Sequence, residues 1–226
     1  MSFLRRPTST NALVGIFLLV LLAVFAGPGM LPRIISSVIP SADESIPCEW
    51  LRRGDNRAEH QSLIGRSIAN PISVRVRTSA LPRTAEERLV INIVVANDSI
   101  GTVAIYYNPT QVRLGDDGVT SGLGVVFNSP NPISAGSQGQ GGSYPEADIR
   151  LLGPRQSCVH RIEFAANQYP DPSIGTGNAT VKAYYRNTTR GTTTGASGIA
   201  TPIFPDQGLW VGAVESLAAT IPFASG

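Results

Sequence analysis

The chain has 226 residues, with 18 Lys and Arg against 16 Asp and Glu, for a formal net charge of +2. This near balance, without a run of Lys or Arg, excludes an electrostatic footprint for a nucleic-acid backbone, so we predict no nucleic-acid binding. Only 15% of the residues are charged, and 23 Gly and 17 Pro indicate a turn-rich globular chain rather than a disordered one.

The first predicted element is an apolar run over residues 12–26, preceded by Arg5 and Arg6. It predicts a transmembrane anchor over residues 12–31, because a helix of this length spans roughly the 30 Å of a hydrocarbon core. Basic residues before the helix favour a cytoplasmic terminus for residues 1–11 and a single pass through the cell membrane. The side chains expected to contact the lipid bilayer are Leu13, Ile16, Phe17, Leu18, Leu19, Leu21, Leu22 and Phe25.

A cleaved secretory signal is the alternative interpretation of this run. Small residues in the segment 24–27 offer a plausible cleavage position. Both interpretations export the remainder of the chain to the periplasm or the extracellular space. Residues 32–71 then form a stalk that begins with Pro and Ser and becomes charged, with a short helix expected over residues 56–65.

Two cysteines, Cys48 and Cys158, follow the predicted anchor. An oxidising compartment allows them to pair, and we predict a disulfide that joins the membrane-proximal segment to a late strand. Together with His60 and His160, the same cysteines form a possible Cys₂His₂ metal set, but their spacing lacks the paired ligand motifs of such sites. We therefore predict no metal site and no cofactor.

From Ile72 onwards the apolar pattern has a period of two, which is typical of half-buried β-strands. Strands are predicted over residues 72–78, 89–95, 102–107, 111–114, 124–128, 147–152, 157–164 and 179–186. Seven or eight short strands separated by turns predict an all-β antiparallel sandwich over residues 72–205. The expected core consists of Val74, Val76, Ile91, Ile93, Val95, Val103, Ile105, Val126, Ile149, Leu151, Val159, Ile162, Phe164, Val181 and Tyr184.

Polar stretches interrupt this pattern, the longest over residues 129–146, and they favour spacers or partner contacts over a catalytic lid. The tail over residues 206–226 is apolar. Asp206 can cap a short helix over residues 207–220, and a strand over residues 209–214 is the alternative. In either form we expect the tail to dock on the domain or on a partner.

Chemistry-bearing motifs are sparse. Asp116-Asp117-Gly118 indicates a turn, with a calcium loop as the alternative. Asn97, Asn178 and Asn187 begin glycosylation sequons, although polar roles in turns explain them equally well. There is no Gly-x-Ser-x-Gly nucleophile elbow, so we predict no catalytic residues and no enzyme activity.

Three segments resemble the immunoglobulin-like domains of bacterial membrane-anchored or secreted proteins. In residues 94–99 a strand ends at an Asn-x-Ser turn, residues 111–118 carry a Leu-x-Asp-x-Gly turn, and residues 160–164 end a strand in an apolar-acidic-Phe pattern. The resemblance spans residues 72–186. It implies an immunoglobulin-like binding or structural scaffold and transfers no catalytic residues. The chain departs from antibody-type domains because Cys48 precedes the strands.

These observations predict a non-catalytic, membrane-anchored accessory or scaffolding subunit of a larger membrane protein assembly. Its partners would be other membrane protein subunits, and its amino-terminal helix would sit in the lipid bilayer. Two alternatives stay open. One is an extracytoplasmic ligand-binding or sensor module for an ion or a glycan, and the other is a surface filament or envelope subunit that polymerises through its apolar helix.

Overall fold

The structure is a computed structural model, and it describes residues 46–53, 70–84, 86–99, 101–136, 142–166, 168–176, 179–194, 200–202 and 209–223. All of these lie in one compact unit, Glu44–Gly226. The predicted anchor, the predicted helix over residues 56–65 and His60 lie outside the described residues. Within the described ranges, no helix has the length and apolar character needed to cross a bilayer.

The described part of the chain is built from β-strands, so the all-β prediction is confirmed. In chain order the strands are β1 (Arg52–Arg53), β2 (Ile72–Thr78), β3 (Arg88–Asn97), β4 (Val103–Tyr106), β5 (Arg113–Leu114), β6 (Gly122–Phe127), β7 (Ser143–Pro145), β8 (Ile149–Leu152), β9 (Ser157–Ala165), β10 (Thr180–Asn187), β11 (Thr192–Thr194), β12 (Ala200–Pro202), β13 (Gly212–Glu215) and β14 (Ala219–Thr220). Helical structure in these ranges is limited to 3₁₀ turns at Cys48–Trp50, Pro109–Gln111, Glu146–Asp148 and Pro172–Thr176.

One sheet has the order β2-β3-β9, with both pairs antiparallel. Its register sets Val74, Val95 and Cys158 side by side across the three strands. Because side chains alternate between the faces of a strand, these residues face the core and their chain neighbours point outwards. The alternation explains why Ile91 and Ile93 in β3 are fully buried.

A second sheet has the order β13-β10-β6-β5, and β14 also pairs with β10. Val181, Ala183 and Tyr185 in β10 are fully buried and belong to the same hydrophobic cluster as the inner residues of β2-β3-β9. The two sheets therefore share one core. Twelve of the fifteen expected core residues are buried, whereas Val76, Val159 and Ile162 are only partly buried.

Two smaller sheets, β1-β8-β4 and β12-β11-β7, complete the described strands. The expectation of purely antiparallel pairing is wrong, since β5 pairs parallel with β6 and β7 pairs parallel with β11. Between β5 and β6, the loop over residues 115–121 carries the chain back to the same end of the sheet. The polar stretch predicted over residues 129–146 also differs from expectation, because it contains β7.

The helix predicted over residues 207–220 is wrong for the described part of that segment, which forms β13 and β14 on β10. The edge of β10 carries backbone donors and acceptors that a paired strand satisfies and a helix would leave to solvent. Ser216 joins this pairing, since its amide donates to the Ala183 carbonyl and its hydroxyl accepts from the Ala183 amide. We call residues 212–223 the C-terminal strap.

Candidate functional site

A covalent link and one backbone hydrogen bond hold the Cys48–Trp50 turn at the edge of β9. Cys48 and Cys158 form a disulfide with their Cα atoms 4.8 Å apart, so the predicted disulfide is confirmed. One residue further along β9, the amide of Val159 donates to the carbonyl of Ile46 over 2.8 Å. The turn is therefore a fixed extension of the sheet β2-β3-β9.

A cavity of about 460 Å³ lies beside this turn, and its size is that of small-molecule sites in proteins. We call it the disulfide cavity. Its walls come from the turn, from all three strands of the sheet β2-β3-β9 and from the residue that follows β4. The lining residues are Pro47, Cys48, Glu49, Trp50, Arg77, Asn92, Val94, Tyr107, Val159, His160 and Arg161.

Arginines flank one wall of the disulfide cavity. The strand register sets Arg77, Asn92 and Arg161 in one row across β2, β3 and β9, on the outward face of the sheet. Arg77 and Arg161 are exposed at their strand positions. Arg161 forms an ion pair with Glu163, in which Nε lies 2.8 Å from Oε1. This wall therefore offers guanidinium groups on either side of an amide side chain.

The inner wall carries a histidine held by a tyrosine. Nδ1 of His160 lies 2.7 Å from the hydroxyl of Tyr107, and the ring centroids are 5.8 Å apart in an edge-on arrangement. Burial lowers the pKa of His160, an effect that Glu49 partly opposes, and burial raises the pKa of Tyr107. Burial therefore favours the neutral form of the imidazole. Among the described residues Nε2 has no hydrogen-bond partner.

The remaining wall is aromatic. Trp50 is 77% exposed, whereas Cys48, two residues earlier in the same turn, is buried and cross-linked to β9. Its amide donates to the Pro47 carbonyl over 2.9 Å, which fixes the backbone from which the indole projects. An exposed indole on a fixed backbone offers a large amphipathic contact surface at low entropic cost. Two arginines and an indole line this cavity together with Glu49, and guanidinium groups suit recognition of an anionic group.

A separate ionic cluster lies at the start of β6. The side chain of Arg186 is fully buried, and it donates from Nη1 to Asp116 Oδ1 over 2.6 Å and from Nη2 to Asp117 Oδ1 over 2.8 Å. Its Nε donates to the Thr120 carbonyl over 3.1 Å. The guanidinium carbon lies 5.4 Å from the centroid of the Tyr184 ring, within range of a cation–π interaction.

These contacts favour the turn interpretation of Asp116-Asp117-Gly118 over the calcium loop. Oδ1 of Asp116 also accepts from the Gly118 amide, and Oδ1 of Asp117 accepts from the amides of Val119 and Thr120. Burial raises the pKa of Asp116, but hydrogen bonds from Arg186 and Gly118 outweigh it and lower the pKa overall. Hydrogen bonds from the Thr120 hydroxyl and amide lower the pKa of Asp117. The carboxylates therefore serve to hold the arginine.

Two of the three sequon asparagines are buried in polar structural roles. Nδ2 of Asn97 lies within 3.0 Å of the carbonyl oxygens of Gly101, Leu152 and Gly153, while its Oδ1 accepts from Ser99. Asn187 is fully buried and donates to two backbone carbonyls. Neither amide is accessible for glycosylation in the folded chain, and Asn178 lies outside the described residues.

The possible Cys₂His₂ metal set does not assemble. Cys48 and Cys158 have no thiolate to offer because both sulfur atoms are in the disulfide, and His160 binds Tyr107. In the ranges that the structure describes, no group of three or more His, Cys, Asp or Glu residues is close enough together to hold a metal ion.

The C-terminal strap forms a second surface of interest. Leu217 and Phe223 are 91% and 62% exposed, yet the segment that carries them is tied down. Between them, the amide of Ile221 donates to the Ala179 carbonyl over 3.0 Å, and the Ile221 side chain is fully buried. The amide of Leu81 also donates to the Pro222 carbonyl over 2.9 Å. The strap therefore presents apolar side chains from a fixed backbone.

Sequence reasoning singled out the two cysteines and His160 but missed the rest of the disulfide cavity. The sequence places Arg77 at a polar position of the alternating strand over residues 72–78. It places Arg161 within the predicted strand over residues 157–164. Their juxtaposition across Asn92 depends on the order β2-β3-β9, which links residues that are far apart in the chain.

No protein-family model matches the chain, and no curated protein or solved structure matches it at a significant level.

Proposed function

We propose that the chain is a non-catalytic accessory subunit of a membrane protein assembly, anchored through residues 12–31 and exposing the β-sheet unit outside the cytoplasm. The observation that carries this proposal is the C-terminal strap. It keeps Leu217 and Phe223 in solvent while its backbone is paired to β10 and its Ile221 side chain is buried. A fixed segment with exposed apolar side chains is ready to dock on a partner without a large entropic cost.

The disulfide supports the location outside the cytoplasm. Disulfides form and persist in oxidising compartments and are rare in the cytosol. The bridge joins Cys48, which follows the predicted anchor in the chain, to β9, an edge strand of the sheet β2-β3-β9. It thus fixes the segment around Cys48 to the sheet within the unit, which suits a subunit whose chain enters the domain from a membrane anchor.

The finer fold that we propose is an immunoglobulin-like sandwich. In immunoglobulin domains strands A, B and E share one sheet, and strands G, F and C form the other. With β2, β3 and β9 as A, B and E, and with β13, β10 and β6 as G, F and C, the observed sheet orders β2-β3-β9 and β13-β10-β6 follow that arrangement. Domains of this architecture commonly act as binding scaffolds, which is compatible with a subunit role.

The test is affinity purification of the full chain from its own membranes in mild detergent, followed by mass spectrometry. We expect a larger membrane protein in stoichiometric amount, and we expect Leu217→Ser and Phe223→Ser each to weaken its recovery. The matched control is Val119→Ser, which removes an apolar side chain of similar exposure from a different loop.

Two outcomes would contradict the proposal. One is recovery of the chain alone, or only of further copies of itself, which would instead favour a filament subunit. The other is a loss of the partner in Val119→Ser as large as the loss in the strap variants, because the strap would then not be the docking surface.

A ligand-binding module is the second candidate, and the disulfide cavity favours it. The cavity gathers Arg77, Arg161, His160 and Trp50 around one space of ligand size. A sensor or binding role needs no partner at the strap. It therefore predicts unchanged ligand binding in Leu217→Ser and Phe223→Ser.

A further inference from the structure

We infer that the disulfide cavity binds a small ligand whose carboxylate or phosphate group is held by Arg77 and Arg161 and whose ring packs on Trp50. This inference gives the second candidate function a ligand class. It does not depend on the membrane anchor or on a partner at the C-terminal strap, so its failure would leave the accessory-subunit proposal untouched.

The position of the anionic group follows from the strand register. Arg77 and Arg161 flank Asn92 on the two neighbouring strands. Neighbouring strands lie about 4.8 Å apart, so the two arginine Cα atoms are about 10 Å apart. Arginine side chains are long enough to converge across that distance on one anion above the asparagine. Both line the cavity, and both are exposed.

The charge on this face also favours an anion. Arg75 and Arg88 project from the same outward face as Arg77 and Arg161. Arg75 lies two residues before Arg77 on β2, and Arg88 lies four residues before Asn92 on β3. Glu163 is the acidic residue on the described strands of this face, and it pairs with Arg161 and with Arg88. The described strands of this face carry four arginines and one glutamate, and Glu49 of the neighbouring turn also lines the cavity.

A directed polar contact comes from His160. When the Tyr107 hydroxyl donates to Nδ1, the proton of the neutral imidazole lies on Nε2, which becomes a donor for a polar group of the ligand other than the anion held by the arginines. The opposite tautomer turns Nε2 into an acceptor for a ligand hydroxyl. Because side chains alternate along β9, His160 faces the same side as Cys158 and lines the cavity from the inner face, whereas Arg161 projects from the outward face. The tyrosine fixes the plane of the ring.

The ring of the ligand is assigned to Trp50. The indole is 77% exposed and lines the cavity, and its backbone is fixed by the disulfide at Cys48, two residues earlier in the same turn. A flat amphipathic surface next to guanidinium groups suits a ligand with an anionic substituent on a sugar or aromatic ring. The volume of about 460 Å³ accommodates one such ring with its substituent.

The small number of tryptophan and histidine residues allows an NMR test in which each side chain gives a separate signal. With two Trp and two His in the whole sequence, selective ¹⁵N labelling of the indoles and ¹³C labelling of the imidazoles give two signals of each kind. Trp210→Phe and His60→Gln assign them. The full chain in detergent micelles is titrated with D-glucuronate and with inorganic phosphate, and in a separate arm the chain is mixed with phosphatidylglycerol vesicles.

We expect saturable shifts of the Trp50 and His160 signals with at least one probe, while the Trp210 signal stays in place. A charge-assisted hydrogen bond is worth roughly tenfold or more in affinity, so Arg161→Gln and Arg77→Gln should each weaken binding about tenfold. Arg83→Gln removes the same charge outside the cavity and should change binding less than about twofold. Shifts seen only with vesicles would identify a lipid headgroup as the source of the anion.

The inference is overturned if none of the three probes gives a saturable shift of the Trp50 signal. It is equally overturned if Arg83→Gln weakens binding as much as Arg161→Gln, because the effect would then be general charge attraction. Normal dispersion of the Trp210 signal in each arginine variant confirms that the variant is folded, which separates loss of the site from loss of the fold.

Discussion

Gly124 and Tyr184 face each other on β6 and β10, and the tyrosine ring occupies the space that a side chain at position 124 would need. A Cβ atom at Gly124 would lie 2.3 Å from Cζ of Tyr184. The same ring donates its hydroxyl to the Gly115 carbonyl over 2.8 Å, and burial raises its pKa to about 12. Since it also lies against Arg186, the ring connects the core sheet to the ionic cluster.

Gly124→Ala is therefore expected to destabilise the fold by about 1–3 kcal/mol, the usual cost of overpacking in a filled core. The matched control is Gly175→Ala, where an added Cβ meets nothing within 4 Å and the free energy of unfolding should stay unchanged or rise slightly. Urea denaturation followed by fluorescence measures both variants. Equal stability of the two would show that the ring of Tyr184 can move aside.

Arg186→Met is expected to lower the free energy of unfolding by about 3 kcal/mol, because it leaves Asp116 and Asp117 without their buried partner. We take the lower end of the usual range for a broken pair, since Asp117 is 34% exposed. Arg88→Gln removes an exposed arginine whose nearest contact to Glu163 is 3.9 Å, and it should cost less than about 1 kcal/mol. A cost at Arg186 no larger than that at Arg88 would mean that the cluster adds nothing to stability.

The same cluster predicts a dependence of stability on acid pH. The folded pKa values of Asp116 and Asp117 are below the unfolded value of about 3.9, so their contribution is fully present above pH 4. It is lost as the pH falls from about 4 through the folded values, because the unfolded chain then binds more protons. Asp117→Asn should show a shallower fall than the unmodified chain in urea denaturation between pH 6 and pH 2. Parallel curves would contradict this assignment.

Asn97→Asp is expected to destabilise the fold by at least about 3 kcal/mol. The substitution replaces the amide that faces the carbonyls of Gly101, Leu152 and Gly153 with an oxygen, and it buries a charge among acceptors. Asn131→Asp, at an exposed position, should change the unfolding free energy by less than about 0.5 kcal/mol. Thermal unfolding monitored by circular dichroism distinguishes the two. Similar melting temperatures would contradict a structural role for Asn97.

The disulfide is expected to contribute about 4 kcal/mol, since it closes a loop with a sequence separation of 110 residues. Cys48→Ser combined with Cys158→Ser should lower the unfolding free energy by that amount in chemical denaturation. Peptide mapping without reductant, on protein kept from reducing agents, tests the bond itself. Recovery of both cysteines as free thiols would disprove it.

Local periodicity was sufficient to predict most of the strands. The alternation over residues 72–78 coincides with β2 at both ends, and each of the other seven predicted strands overlaps a strand of the structure. The disulfide was predictable because two cysteines allow one intramolecular pairing. The strands of the C-terminal strap were not, since β13 and β14 form by pairing with β10 and carry little periodic signal of their own.

The candidate site was harder to predict for the same reason. The Asp116-Asp117-Gly118 turn is a local feature, but its partner Arg186 lies 70 residues away from Asp116. An arginine within a predicted strand is expected to face solvent, and only the bend that brings the turn over β10 buries it. The row of Arg77, Asn92 and Arg161 likewise depends on pairing between distant strands.

The bridge between Cys48 and Cys158 also determines how the protein carries mechanical load. A pull on the chain before Cys48 passes through the sulfur atoms into β9 and then onwards to β10 and the strap. Residues between the two cysteines, including β2, β3 and β6, are bypassed and cannot extend while the bond is intact. In a single-molecule stretching experiment, the oxidised protein would therefore release far less contour length than the reduced protein.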